Sequence, residues 1–331
     1  SWSVKNNSAE TAKGTWFDTV YLSKNSVWDP SDPIVGRTSF TGTLQPGQSY
    51  SRNVDTTLPA VIPGSYRFIV KTDVFDNIYE ATSESNNTTV ASDATSVTVQ
   101  SLQLNADHDT TLKSGQERLY RVEVTAGETL QVELELDDSN SAVELYVRHD
   151  DSPSGTTYDA IGQVIGNGKF SAQVPTTRPG TYYILIRGRS VSEAKRDMQV
   201  TARYLPLSIT DVRSDLAGDG RFFTTTIRGA KFHSEASVSF ERPGYAAFVP
   251  VDMRVIDATT IRAVFDFTDA PHGLYDVKVS NPDGDHVVVP YRFQIQDVIE
   301  PEVTVGIGGP RVILAGDSGL YSVAFQSLSN I

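Results

Sequence analysis

The sequence contains no cysteine and only two methionines among its 331 residues. Without cysteine, neither disulfide bonds nor thiolate metal sites are available to the fold. Small secreted domains of eukaryotes are commonly stapled by disulfides, so their absence favours a bacterial origin. No apolar run approaches the length of a membrane span, which excludes insertion into a bilayer.

Basic residues are also scarce. The 28 Lys and Arg residues face 41 Asp and Glu residues, which gives a formal net charge of −13. Phosphate backbones and anionic membranes repel such a chain, and no basic cluster offsets the repulsion. The composition therefore excludes nucleic acid as a partner. It suits solubility outside a cell and weak binding of cations.

What the sequence does have is alternation of apolar and polar residues. In the stretches 119–124, 130–136 and 275–279, every second residue is apolar. Successive side chains of a strand point to opposite faces, so these stretches predict half-buried strands. No long window has a helical period. The predicted fold class is all-β, with tandem β-sandwich modules of immunoglobulin-like and jelly-roll-like type.

A glycine followed two residues later by a tyrosine recurs four times. The copies begin at Gly64, Gly180, Gly273 and Gly319. Such a tyrosine can bury its ring and return its hydroxyl to the preceding loop, as in the tyrosine corner of immunoglobulin folds. We interpret the first three copies as hairpins of three modules, at residues 1–99, 100–206 and 207–296. Residues 297–331 are then a linker followed by the first strands of a further module.

Residues 1–99 resemble the cell-adhesion-related domain of bacterial surface proteins. The resemblance implies an immunoglobulin-like module that lacks its first strand, and it depends on the stretches 2–7, 16–23, 44–50 and 63–68 together with Asp73, Glu80, Glu84, Asn86 and Asn87.

Residues 101–206 resemble the bacterial pre-peptidase C-terminal domain, a β-sandwich attached to secreted enzymes and surface proteins. The matching stretches are 115–124, 126–130, 144–148 and 179–186. Where that family has Asp-x-Asp before a strand, this chain has Ala142-Val143-Glu144, which weakens any cation site that the resemblance implies.

Residues 207–296 resemble the immunoglobulin-like module shared by plexins and some transcription factors. The matching stretches are 209–212, 227–232, 238–240 and 279–284. The three resemblances together indicate a piece of a larger extracellular or cell-surface bacterial protein.

Acidic loops are the candidate metal sites, because calcium prefers hard oxygen ligands. No loop has the full EF-hand spacing, and no two of the five histidines are spaced as zinc ligands on one element. The sequence thus predicts no cofactor other than weakly bound calcium, with the candidate ligands Asp137, Asp138, Asp150, Asp151, Asp283 and Asp285.

We predict no catalytic residues. Gly316-Asp317-Ser318-Gly319 echoes the nucleophile loop of trypsin-like proteases, but no Ala-Ala-His-Cys element precedes it and only about a dozen residues follow Ser318. A turn before a strand explains the motif better. Trp16, Trp28, Tyr158 and Tyr245 are aromatic residues near loops or strand ends that would suit sugars, although Trp16 lies in a strand motif and is expected in the core.

The end of the chain predicts a partner. An orphan pair of strands is marginal alone, and it could complete the first module of a second copy by strand addition. Repeated head to tail, that contact builds a fibre; a longer repeat protein cut at these points is the alternative. The expected interface residues are Val303, Val305, Val312, Leu314, Tyr321, Val323 and Phe325.

The sequence therefore favours a non-catalytic structural or adhesive segment that binds itself, neighbouring modules, or cell-surface glycans or proteins. Two alternatives stay open: an accessory region of a secreted peptidase and a carbohydrate-binding module.

Overall fold

The computed structural model describes residues 1–80, 84–137, 140–192, 195–299 and 303–327. They form 27 strands and one short 3-10 turn, Glu84–Asn86, so the predicted all-β class of tandem β-sandwiches is confirmed. The chain divides into two compact units: Ser1–Val124, Gln131–Gln173 and Arg178–Arg203 form the first, and Thr125–Leu130, Val174–Thr177 and Tyr204–Ile331 form the second.

The first region, residues 1–99, holds seven strands. Its larger sheet has the order β3-β2-β5-β6 with β7 also paired to β5, and its smaller sheet pairs β1 with β4. The strands are β1 (Trp2–Lys5), β2 (Ala12–Ser23), β3 (Ile34–Leu44), β4 (Ser49–Arg52), β5 (Gly64–Lys71), β6 (Thr88–Val90) and β7 (Thr95–Val97).

The second region, residues 100–205, has two five-stranded sheets, in the orders β13-β12-β16-β10-β8 and β14-β15-β11-β17-β9. The strands are β8 (Gln100–Ser101), β9 (Asp107–Leu112), β10 (Glu117–Val124), β11 (Thr129–Leu136), β12 (Ala142–His149), β13 (Ala160–Ile161), β14 (Gln163–Gly166), β15 (Lys169–Val174), β16 (Gly180–Ser190) and β17 (Arg196–Leu205).

The third region, residues 208–296, has two four-stranded sheets, in the orders β18-β20-β23-β22 and β19-β25-β24-β21. The strands are β18 (Ser208–Arg213), β19 (Leu216–Gly218), β20 (Phe222–Ala230), β21 (Ser237–Glu241), β22 (Asp252–Asp257), β23 (Thr260–Asp266), β24 (Gly273–Ser280) and β25 (His286–Gln296).

The alternating stretches of the sequence are strands, as predicted. Leu130, Val132, Leu134 and Leu136 of β11 are buried, and so are Tyr275, Val277 and Val279 of β24. One face of each strand thus supplies the core, because successive side chains alternate between the two faces of a sheet.

Three of the four Gly-x-Tyr copies are tyrosine corners. The hydroxyls of Tyr66 and Tyr275 donate to the carbonyls of Ile62 and Pro271, at 2.8 and 2.7 Å. The Tyr182 hydroxyl instead accepts from the backbone N–H of Arg178 at 3.1 Å. In each case the partner lies four residues before the tyrosine, and the strand begins at the glycine. The predicted role of this motif at these three sites is confirmed.

The end of the chain is a hairpin, which we call the tail hairpin: β26 (Val303–Gly308) pairs antiparallel with β27 (Ser322–Ser327). Val312 and Leu314, which the sequence predicts as interface residues in the first strands of a further module, do not lie in a strand but in the connection between β26 and β27. Gly308-Gly309-Pro310 ends β26 before they are reached, since proline has no N–H to donate to a ladder. Tyr321 lies just before β27 and is half exposed rather than seated in a corner.

Within the described part of the chain, no helix is long and apolar enough to cross a membrane.

Candidate functional site

Three side chains of types that can bind a metal ion lie together at one end of a sheet in the third region. Asp219 follows β19, His272 precedes β24 and Asp297 follows β25. β19 runs parallel to β25, and β24 runs antiparallel to β25. The ends of β19 and β25 therefore lie beside the start of β24, and the sheet topology alone brings the three residues together.

Their ligand atoms lie within 4.8 Å of one another, and among the described residues this is the one such group of three. The Nε2 atom of His272 is 2.8 Å from Oδ2 of Asp219 and 3.8 Å from Oδ1 of Asp297. Oδ1 of Asp219 accepts from the backbone N–H of Val298 at 2.9 Å. That bond orients the carboxylate, so Oδ2 faces the imidazole.

The backbone fixes both partners of the 2.8 Å contact. The carbonyl of Asp219 accepts from Asp269 and its N–H donates to Gln296. The carbonyl of His272 accepts from the guanidinium of Arg242. Gly273 has φ of +139°, and a Cβ there would lie 2.8 Å from Nη1 of Arg242. Glycine is therefore required immediately after the histidine.

The pair is electrostatically matched. The hydrogen bond to Asp219 raises the pKa of His272 above its ordinary value, and the nearby charge of Asp297 adds to the effect. The same hydrogen bond, together with that from Val298, lowers the pKa of Asp219. Both shifts have the direction expected when the charged form of each group is favoured by its partner.

The acidic residues predicted as calcium ligands lie elsewhere and have other partners. Asp137 faces Arg196 at 3.5 Å. Asp150 and Asp151 pair with His149 and Arg148, at 3.3 and 2.9 Å.

Asp283 and Asp285 belong to one turn. A carboxylate oxygen of Asp283 accepts from the N–H of Asp285, and the carbonyl of Asp285 accepts from Asn281. Asp138 lies outside the described residues. None of the five described candidates belongs to the group of three ligands.

The aromatic residues considered for sugar binding do not share one environment. Trp16 is 3% exposed, as expected of a core residue. Trp28 packs edge-on against Tyr21, with the amine of Lys71 over its ring. Tyr158 lies against Tyr146, and the guanidinium of Arg242 lies over Tyr245.

The first region contains a buried charge. Asp18 is fully buried and accepts from the Trp2 indole at 2.9 Å, the Tyr50 hydroxyl at 2.9 Å and the Thr72 hydroxyl at 2.6 Å. The Tyr50 hydroxyl in turn accepts from the indole of Trp16 at 2.8 Å. Burial raises the pKa of Tyr50 to about 12. Buried carboxylates are tolerated when they are hydrogen-bonded in this way.

Next to this network the first region has a cavity of about 1090 Å³. Its apolar lining includes Val20, Val35, Val54, Phe68 and Val70. Close-packed interiors rarely leave such a space, so the first region has a groove that a further apolar segment could fill.

The tail hairpin presents one apolar face. Val305 is opposite Phe325 and Ile307 is opposite Val323. Val305 is 63% exposed and Phe325 is 80% exposed. Of the other predicted interface residues, Val312, Leu314 and Tyr321 are exposed in the connection, and Val303 lies in β26 with its side chain outside the described set.

The first and second regions touch within the first compact unit. The N–H of Ala60 donates to Oε2 of Glu117 at 3.2 Å, and the carbonyl of Ala60 accepts from the hydroxyl of Ser152 at 2.9 Å. Glu117 is itself held by Arg187 at 2.7 Å. The second region therefore forms hydrogen bonds with both the N–H and the carbonyl of Ala60, a residue of the first region.

Residues 116–188 match the sequence profile of the bacterial pre-peptidase C-terminal domain, so the predicted resemblance of the second region to this family is confirmed. Domains of this family are non-catalytic and are typical of the C-terminal regions of secreted peptidases. No curated protein matches the chain.

Solved structures similar to this chain include the pre-peptidase C-terminal domain of a collagenase from Bacillus anthracis, with 18% identity and a TM-score of 0.26 over 31% of this chain and 93% of that one. The secreted serine protease VesC from Vibrio cholerae has 13% identity and a TM-score of 0.25 over 61% of this chain and 46% of that one. The extracellular region of plexin A4 has 13% identity and a TM-score of 0.23 over 89% of this chain and 32% of that one. At these TM-scores the likenesses carry no argument about function.

The sequence interpretation missed the group of three ligands because 53 residues separate Asp219 from His272. A signal was nonetheless present. Asp297 follows the alternating residues 293–296, His272 precedes the alternating stretch 275–279, and Asp219 and His272 each precede a glycine. Polar ligands placed at strand ends that share one sheet edge could have been found once strand order was known.

Proposed function

We propose that this chain is a non-catalytic structural and adhesive segment of a secreted or cell-surface bacterial protein, and that it acts as a spacer. The observation that carries the proposal is the grip on Ala60 by Glu117 and Ser152. A spacer must resist bending between its modules, and this contact ties the first region to the second.

The connection between the two regions is also short. β7 ends at Val97 and β8 begins at Gln100. β8 pairs in parallel with β10 of the second region, with Gln100 opposite Tyr120. Only residues 98 and 99 therefore lie between the two paired strands, which leaves little backbone free to act as a flexible linker.

A distance measurement tests the spacer. Because the chain has no cysteine, spin labels can be placed at Ser26→Cys and Asn167→Cys, which are exposed positions of the first and second regions. We expect a single narrow distance distribution by double electron–electron resonance. A broad distribution in the otherwise unmodified chain would contradict a rigid spacer.

A matched pair of variants tests whether the contacts with Ala60 hold the first and second regions in a fixed arrangement. Glu117→Ala combined with Ser152→Ala removes the grip on Ala60 and should broaden the distribution. Glu144→Ala is the control, because Glu144 also pairs with Arg187, at 3.4 Å, and it binds Arg187 and Arg189 rather than Ala60. If both variants broaden the distribution equally, the contact with Ala60 is not what holds the regions together.

A second candidate, an accessory region of a secreted peptidase, is favoured by the family match over residues 116–188. Both candidates expect the chain alone to leave casein and ester substrates intact. Hydrolysis that Ser318→Ala abolishes would refute both of them. The peptidase alternative is favoured instead if the chain binds insoluble protein substrates and Glu117→Ala with Ser152→Ala leaves that binding unchanged.

Self-association by strand addition is the assembly that we propose for this segment. It is supported by the apolar face of the tail hairpin and by the apolar groove of the first region, and the occupant of that groove would be the hairpin of a second copy. Light scattering of the full chain should show association that deletion of residues 302–331 removes. A full chain that stays monomeric at high concentration rules this assembly out.

A further inference from the structure

We propose that Asp219, His272 and Asp297 bind one divalent transition-metal cation of the zinc class at the end of the β19-β25-β24 sheet. The proposal depends on one ligand atom from each residue, and these atoms lie within 4.8 Å of one another. Nε2 of His272 is 2.8 Å from Oδ2 of Asp219 and 3.8 Å from Oδ1 of Asp297.

Two of the three separations are close to those found around a single ion. Metal–ligand bonds of about 2.1 Å around one zinc ion place two ligand atoms roughly 3 to 4 Å apart. The 3.8 Å between His272 and Asp297 already falls in this range, and the 2.8 Å between His272 and Asp219 needs to open by a few tenths of an ångström. The side chain of His272 is exposed, so a small rotamer change can make that adjustment.

Neighbouring residues form hydrogen bonds with Asp219 and His272 that would hold them in place as metal ligands. The second carboxylate oxygen of Asp219, Oδ1, accepts a hydrogen bond from the N–H of Val298. Hydrogen bonds of this kind orient ligands in metal sites. The backbone of His272 is held by Arg242 through its carbonyl. Two of the three ligands are thus pre-oriented before any ion binds.

The ligand set selects the class of cation. Imidazole suits zinc and its neighbours among the transition metals, whereas calcium takes six to eight oxygen ligands. One nitrogen and two carboxylates supply too few oxygens for calcium. Three protein ligands on an exposed surface leave positions for water around a tetrahedral ion. Binding releases the Nε2 proton of His272 to the solvent.

Such an ion would have a structural effect in the third region. Asp297 lies on the segment that leaves β25, and Asp219 and His272 lie on the third region itself. The cation would therefore cross-link that segment to the sheet. Because the three ligands are distant in sequence, the unfolded chain does not form the site, and binding stabilises the folded state.

Calorimetric titration of the chelator-treated full-length chain with Zn²⁺ tests the site. We expect one site per chain that His272→Ala weakens by at least about tenfold, because one ligand of three is lost. Asp297→Asn should weaken it as well, and it alters an exposed side chain, so folding is preserved. His286→Ala is the matched control and should bind like the unmodified chain. Circular dichroism confirms that each variant is folded.

A second readout places the ion. The imidazole resonances of His272, assigned from their loss in His272→Ala, should move on addition of Zn²⁺ at one equivalent, while those of His286 should not. Zinc binding that His272→Ala leaves unchanged, or that His149→Ala removes instead, overturns the proposal. A site at these residues that binds Ca²⁺ more tightly than Zn²⁺ overturns the assigned class of cation.

Discussion

The first and third regions are both sheets packed around a core, but their cores are built differently. The centre of the third region is an aromatic stack, with Phe240 4.2 Å from Phe265 and 4.4 Å from Phe293 between ring centroids. The first region has at its centre the fully buried carboxylate of Asp18 and its three hydrogen-bond donors. Ring packing depends on volume, whereas a buried network depends on every partner being present.

Each region is vulnerable to a different kind of substitution. A core of rings loses stability when a cavity is made in it. A buried polar network loses stability when one partner is removed, because the others are left without a hydrogen bond in an apolar environment. The two regions can be followed separately, since all three tryptophans, Trp2, Trp16 and Trp28, lie in the first region. Tryptophan emission therefore reports on that region alone.

The largest expected effect is in the third region. Phe240→Ala removes a fully buried ring that contacts Phe265, Phe267 and Phe293. We expect a loss of about 3–5 kcal/mol in unfolding free energy, from lost transfer energy and the cavity left behind. Urea unfolding by circular dichroism should show the transition of the third region at lower urea, while the tryptophan transition stays in place. A tryptophan midpoint that moves by the same amount would show that the two regions unfold together.

The next effect is in the first region. Tyr50→Phe removes one donor to Asp18 and the acceptor for the Trp16 indole, so two buried groups lose a partner. We expect a loss of about 1–3 kcal/mol, measured as a lower urea midpoint of tryptophan emission. Tyr245→Phe, which alters a half-exposed tyrosine of the third region, is the control and should leave that midpoint unchanged. A midpoint of Tyr50→Phe equal to that of the unmodified chain would contradict the importance of the network.

The network should also respond to alkali. Burial raises the pKa of Tyr50 to about 12, above the ordinary tyrosine value of about 10. A group whose pKa is raised by folding stabilises the folded state fully below its unfolded pKa, and that stabilisation is lost as the pH rises through the folded value. The unfolding free energy of the first region, followed by tryptophan emission, should therefore fall by about 2 kcal/mol between about pH 9 and about pH 11.5. Tyr50→Phe should weaken less over that interval, and an identical loss in both proteins would assign the effect to other groups.

The contrast also explains how much the sequence could predict. One face of the core of the third region follows from alternation, because Tyr275, Val277 and Val279 are buried on the same side of β24. The network could not be predicted in the same way. Asp18 lies on the face that Trp16 and Val20 share, where alternation expects an apolar residue. Its partners Trp2, Tyr50 and Thr72 are 16, 32 and 54 residues away, so only the folded chain shows why a charge is tolerated there.

The same distinction applies to the candidate cation site. Acidic loops can be found from composition, and the sequence predicted six such residues as calcium ligands. Asp150 and Asp151 form ion pairs with residues that are close to them in the chain. Asp219 and Asp297 meet His272 only through the pairing of β19 and β24 with β25. Local sequence predicts turns and strands, but a site formed by strand ends depends on strand order.

The smallest expected effect tests whether one motif behaves alike in the two regions. The Tyr66 hydroxyl donates to Ile62 in the first region, and the Tyr275 hydroxyl donates to Pro271 in the third, at nearly equal distances of 2.8 and 2.7 Å. Both rings are buried, so Tyr66→Phe and Tyr275→Phe keep the packing and remove one neutral hydrogen bond each.

A bond of this kind contributes about 0.5–1.5 kcal/mol. We therefore expect Tyr66→Phe to lower the urea midpoint followed by tryptophan emission. Tyr275→Phe should lower only the midpoint followed by circular dichroism, and the two losses of unfolding free energy should be similar. The corner is a local motif whose partner lies four residues away, so its contribution should not depend on whether the surrounding core is polar or aromatic. If Tyr66→Phe costs several times more than Tyr275→Phe, the corner of the first region is coupled to the Asp18 network, and the two cores differ at their loops as well as at their centres.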